Sequence, residues 1–143
     1  MKTLYVLVLT TFMPMQAIAD EVFAPQSAAD VVFADQLYVT RPVVVFADSP
    51  NDPSFVRQME LLALNFDELV DRDVIVVTDT DPAAKTEWRT KLRPRGFSLV
   101  LLDKDLKPVI RKPSPWDVRE ITHSIDKLPL RRQEVLKQNP SGR

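Results

Sequence analysis

The sequence predicts an α/β domain with a mixed sheet of about four to five strands flanked by helices. Three observations lead there. Val43-Val44-Val45-Phe46-Ala47 and Asp73-Val74-Ile75-Val76-Val77-Thr78 are apolar, β-branched runs without polar alternation, the pattern of strands covered on both faces. Between them Phe55, Met59, Leu62, Phe66 and Leu69 recur at intervals of four and three, which places one apolar helical stripe against the sheet. A strand pair joined through a helix is parallel. Downstream, Phe97–Leu102, then Asp103-Lys104-Asp105-Leu106, then Lys107–Arg111 reads as strand, turn and strand, which adds an antiparallel hairpin.

The chain begins with Lys2, an apolar run from Leu4 to Leu9, and Ala17-Ile18-Ala19, the pattern of a secretory signal peptide over residues 1–19 with cleavage before Asp20. An uncleaved anchor is the other possibility, but the apolar run is too short to span a bilayer comfortably. Cleavage implies a periplasmic or secreted protein with no stable membrane span. Without Lys2 the basic count falls from 19 to 18 against 20 acidic residues, so the mature chain is near −2 and nucleic acid is not an expected partner. The chain has 143 residues and no cysteine. Stability therefore rests on core packing without disulfides, which about 124 mature residues can supply in one domain.

Residues 20–40 carry mixed signals and are expected to form a packed N-terminal arm, broken early by Pro25. The main domain is expected over residues 41–128. After the first strand and the loop Asp48-Ser49-Pro50-Asn51, Asp52-Pro53 is a helix start, with Asp as N-cap and Pro at the first helical position. The same device recurs at Asp81-Pro82, followed by Ala84, Trp88 and Leu92 at spacing four. It recurs again at Ser114-Pro115, where Ser114-x-x-Asp117 resembles a capping box. The last helix is expected over about Pro115 to Asp126, burying Val118, Ile121 and Ile125. Pro108 cannot donate to a central ladder, so the final strand belongs at the sheet edge, where Lys107 and Arg111 also oppose pairing with other chains. Residues 129–143 form a basic C-terminal tail, Arg131, Arg132, Lys137 and Arg143 against Glu134, whose end is expected to fray. There is no internal repeat and no low-complexity segment.

This order resembles the thioredoxin core. Val44-Val45-Phe46-Ala47 is similar to the strand that leads into the Cys-x-x-Cys, and Gly96-Phe97-Ser98-Leu99-Val100-Leu101-Leu102 to the strand that carries the cis-proline. In this resemblance Ser49, Pro50, Asn51 and Asp52 stand around the cysteine positions and Ser98 stands at the proline. A closer resemblance covers Arg41 to Glu134, carried by Arg-x-Val-Val-Val-Phe, Arg-Asp-Val-Ile-Val-Val, Leu-Leu-Asp-Lys-Asp and Ile-Asp-Lys-Leu-Pro-Leu-Arg-Arg-Gln-Glu. It is to a bacterial family of domains of unknown function (DUF 4174), related to the peroxiredoxin-like domain of sushi-repeat extracellular proteins. Membership implies a thioredoxin-like fold and brings no activity or site.

Thiol redox chemistry needs a thiolate, so the chain is not a cysteine-dependent oxidoreductase on its own. Ser49 as a nucleophile needs a base and an oxyanion hole, and only Asp48 and Asp52 lie near it in sequence, the latter explained as a cap. Asp48, Asp52, Asp79 and Asp81 could gather at the carboxyl ends of the strands and suit Ca²⁺, but two N-caps and solvated loop acids account for them, and no metal or other cofactor is assigned. His123 is expected in solvent, and Trp88 and Trp116 in core or rim packing. The expectation is an exported, non-catalytic module that binds an unknown protein or small ligand through Ser49, Asn51 and Ser98, with Asp52 opposing a strongly anionic ligand at that helix start. The alternative is a redox-related or metal-assisted enzyme whose site a partner completes.

Overall fold

The computed structural model describes residues 22–141. The expected signal segment, residues 1–19, and the cleavage point before Asp20 lie outside them. Five strands, β1 (Gln26–Ser27), β2 (Arg41–Phe46), β3 (Val74–Asp79), β4 (Ser98–Leu102) and β5 (Pro108–Lys112), form one sheet in the order β1-β3-β2-β4-β5. β1, β3 and β2 run parallel, whereas β4 is antiparallel to β2 and to β5. Helices flank both faces, an arrangement consistent with the thioredoxin-like fold. The parallel pair, the hairpin and the edge placement of Pro108 stand as the sequence predicts.

The central strands are buried throughout, because alternate residues enter two different cores. Val43, Val45, Leu99 and Leu101 meet Leu62, Leu69, Val118, Ile121 and Ile125 on one face. Val44, Phe46, Val100 and Leu102 meet Trp88, Leu92, Ala28 and Val31 on the other. Each fully buried Leu, Val or Phe contributes about 1.5–3 kcal/mol of transfer free energy, so two filled faces stabilise a sheet without cross-links. In residues 22–40, Gln26 and Ser27 pair with Val77 and Thr78, and Ala28 and Val31 are buried. Trp88, 0% exposed, donates its ring N–H to the Val31 carbonyl at 2.7 Å and so ties this arm to the domain.

The helix starts differ from expectation in two of three cases. α1 (Pro53–Leu64) begins as predicted, with Asp52 accepting from Ser54 N at 2.8 Å. The stripe from Phe55 to Leu69 continues past Asn65 into a separate α2 (Phe66–Val70) while keeping to the same core. Asp81-Pro82 starts only a 3₁₀ turn, Pro82–Ala84, because Lys85 then enters the left-handed region at φ 46°. Thr86 caps α3 (Glu87–Leu92) afresh, accepting from Arg89 N at 3.2 Å. α4 (Val118–Asp126) is capped by Asp117 and not Ser114. The extended Asp117 backbone aims its carboxylate at Glu120 N, 2.9 Å away, while Ser114 and Pro115 belong to the connection from β5. Most of the expected tail is also ordered. Pro129 ends one helix and opens the next, α5 (Pro129–Gln138), which packs against α4.

Candidate functional site

β2 delivers the chain to a tight turn before α1. The Ser49 hydroxyl accepts from Asn51 N at 3.2 Å and its carbonyl from Asp52 N at 3.2 Å, so Ser49 and Asn51 are held together, with Asn51 exposed. Every acid that could assist Ser49 or hold a cation beside it has separate surroundings. Asp48 is exposed, Asp52 caps α1, and Asp81 accepts from Ala83 N at 3.0 Å. Asp79, with its side chain 2% exposed, takes Arg89 Nη2 at 2.9 Å, the Thr86 hydroxyl and Asp81 N. Arg89 Nη2 also reaches the Ala47 carbonyl at 3.1 Å and its guanidinium lies 5.4 Å from the Phe46 ring centre, so the ends of β2 and β3 are clamped to α3. No three His, Cys, Asp or Glu side chains among the described residues converge as metal ligands.

Ser98 stands opposite Phe46 across the β2–β4 ladder, at the same end of the sheet as the turn. Strand alternation, however, groups it with Val100 and Leu102 on the α3 face, whereas α1 packs on the other. Ser98 lines a groove of about 440 Å³ together with Leu92, Arg93, Arg95, Phe97, Arg111 and Pro113, and neither Ser49 nor Asn51 reaches it. Two of the three predicted site residues are thus adjacent, and the third opens into a different recess.

The opposite end of the sheet holds an ionic network. Arg41, 0% exposed, donates Nε to Asp103 Oδ1 at 3.0 Å, Nη1 to the Arg72 carbonyl at 3.0 Å, and Nη1 and Nη2 to the two Glu134 oxygens at 3.0 and 2.9 Å. Lys104 Nζ bridges Asp73 at 2.7 Å and Glu134 at 2.9 Å. Arg72 grips Asp126 through two bonds of 2.8 and 2.9 Å. Burial by itself raises the Glu134 carboxyl, but hydrogen bonds from Arg41 and Lys104, with their charges, outweigh it and hold the group at about 2 against an ordinary 4.5. Burial likewise pushes Lys104 down, and Asp73 and Glu134 bring it above its usual value. The hydrogen bond from Arg72 lowers Asp126, and the same bond raises Arg72. His123 is exposed on α4, Trp88 is core, and Trp116 is half-buried under Lys112 Nζ, 4.3 Å from its ring centre.

Compared with known protein families, residues 34–134 match a domain of unknown function, DUF4174. The chain belongs to this family. No curated protein matches it. In this DUF4174 domain the four motifs quoted from the sequence each supply charged residues to one assembly. Arg41 opens the first motif, Arg72 and Asp73 the second, Asp103 and Lys104 lie in the third, and Asp126, Arg131 and Glu134 in the fourth, all of them members of the ionic network. In this chain those charged residues fasten α5 to the sheet. Sequence reasoning passed over this network and the Asp79–Arg89 clamp. The available signal was Arg41 itself: a cation heading a strand that is otherwise wholly apolar must find an internal carboxylate.

Proposed function

We propose that this DUF4174 chain is an exported, non-catalytic binding module on a thioredoxin-like scaffold, related to the peroxiredoxin-like domain of sushi-repeat extracellular proteins. After removal of residues 1–19 it acts in the periplasm or outside the cell and takes a protein or small ligand at the carboxyl end of β2, through Ser49 and Asn51 at the turn and Ser98 in the separate recess beside β4. The observation that supports this most is chemical. The chain has no thiol, and the acids nearest Ser49 are exposed, capping a helix or bound to Arg89, so none is placed as its base. What the turn and β4 keep are hydroxyl, amide and backbone groups suited to recognition.

The test is capture from periplasmic extract by the mature chain beginning at Asp20, beside a Ser49→Ala, Asn51→Ala, Ser98→Ala variant of equal melting temperature. A species retained by the parent and lost by the variant is the expected result. Retention of every captured species by the variant overturns this placement.

A further inference from the structure

We propose that the groove beside β4 is a binding site for a small organic anion, a carboxylate or phosphate attached to an apolar group, held by Arg93, Arg95 and Arg111 over Ser98. This rests on the binding-module reading above and supplies a ligand class for its Ser98 part alone. Among the described residues Arg41, Arg57, Arg72, Arg89 and Arg131 each have a carboxylate partner, whereas Arg93, Arg95, Arg111, Arg119 and Arg132 have none. Three of those five cations line this one recess of about 440 Å³, and no acidic residue lines it. Like charges that converge in a concave site focus a positive potential there and gain from a shared anion.

Ser98 gives a second, independent indication. It is 4% exposed and lines the groove, yet its hydroxyl makes no hydrogen bond among the described residues. A hydroxyl so placed supplies a donor to an oxyanion that the guanidinium forks would take in two-pronged fashion. Leu92 and Phe97 provide an apolar wall for the remainder of the ligand. Asp52, which opposes an anion at the start of α1, is not part of this groove, so the objection to an anionic ligand at the turn does not extend to it. Arg111 has a structural task as well, donating Nη2 to the Leu92 carbonyl at 2.6 Å, and is left intact in the test.

The experiment is calorimetric titration of the mature chain at low ionic strength with inorganic phosphate, phenyl phosphate and benzoate, and with benzyl alcohol as the uncharged control. Arg93 has φ 47°, a conformation that asparagine tolerates, so Arg93→Asn with Arg95→Gln removes both charges without new backbone strain. Saturable binding of phenyl phosphate or benzoate, weakened by salt, absent for benzyl alcohol and reduced about tenfold or more in that double variant, is expected. Ser98→Ala should weaken it a few-fold, and Arg119→Gln, an exposed arginine that does not line the groove, should leave it unchanged. Absence of saturable binding by all three anions, equal affinity in the arginine double variant, or binding to phosphatidylglycerol–phosphatidylethanolamine vesicles without binding of any free anion overturns the proposal. A mature chain that still captures a partner lost by the Ser49, Asn51 and Ser98 variant, yet binds none of these anions, keeps the module reading and overturns only this one.

Discussion

Replacing Glu134 with Gln is the sharpest probe of how this fold is held together. The change keeps the shape of the side chain and removes the charge shared by Arg41 Nη1, Arg41 Nη2, Lys104 Nζ and Arg131 Nη1. Glu134 sits at about 2 in the folded protein against 4.5 ordinarily. A depressed carboxyl contributes stability that is fully present above its unfolded pKa and is lost as pH falls through its folded pKa, so the window runs from about pH 4.5 down to about pH 2. The full shift corresponds to about 3 kcal/mol. The side chain is 23% exposed, and solvent screening reduces this to on the order of 2 kcal/mol. At pH 7 Glu134→Gln should then unfold roughly 6–10 °C lower than the parent. Denaturant unfolding at several pH values should also give a shallower loss of stability below pH 4.5, with Asp126 still contributing part of the slope. Equal stability at pH 7 within about 0.5 kcal/mol, together with an identical acid slope, would refute the assignment of Arg41 and Glu134 as the tie between α5 and the sheet.

Two further substitutions test the remaining structural assignments. Asp79→Ala leaves Arg89, 12% exposed, beside carbonyls and without a carboxylate, and chemical denaturation should register a loss of about 3–5 kcal/mol; a loss under about 1 kcal/mol refutes the clamp. Asp117→Ala should cost about 1 kcal/mol and Ser114→Ala under about 0.5 kcal/mol in thermal melts, since only Asp117 accepts from the first turn of α4. The reverse order would restore the start at Ser114.

Elements whose signal is local could be read directly. Val43–Ala47 and Val74–Val77 announce buried strands because nothing polar interrupts them, and Asp52-Pro53 announces α1 because cap and fixed φ coincide in adjacent residues. The same dipeptide logic failed at Asp81-Pro82, where Lys85 adopts positive φ and Asp79 draws the Thr86 hydroxyl into its own hydrogen bonds, so the helix starts five residues later. Local signals say nothing about pairing across the chain. Arg41 meets Glu134 over a separation of 93 residues and Asp103 over 62, and composition alone made the α5 segment look like a solvated basic tail. Ser98 was legible as a strand residue beside the turn, but its placement depends on alternation. One step in register would have put it on the α1 face with Ser49 instead of the α3 face with Arg111.

Paired and unpaired arginines occupy different places in this fold, and that contrast separates scaffold from recognition. At the amino ends of β2 and β3, Arg41 and Arg72 are matched to Asp103, Glu134 and Asp126, and the geometry leaves the Arg41 guanidinium no solvent contact. Beside the start of β4, Arg93, Arg95 and Arg111 converge on a recess without a single carboxylate, in a chain whose 20 acids outnumber its 19 bases. Shortage of acids therefore does not explain the unpaired cations. Their mutual repulsion weakens the folded state slightly, and the Ser98 hydroxyl, which lines the same groove, has no protein partner among the described residues. A bound oxyanion relieves that repulsion and gives the hydroxyl a partner. A fold that matches Arg41, Arg72 and Arg89 to carboxylates leaves Arg93, Arg95 and Arg111 without one around a single recess, and the recess follows most directly as the place where the ligand supplies the missing charge.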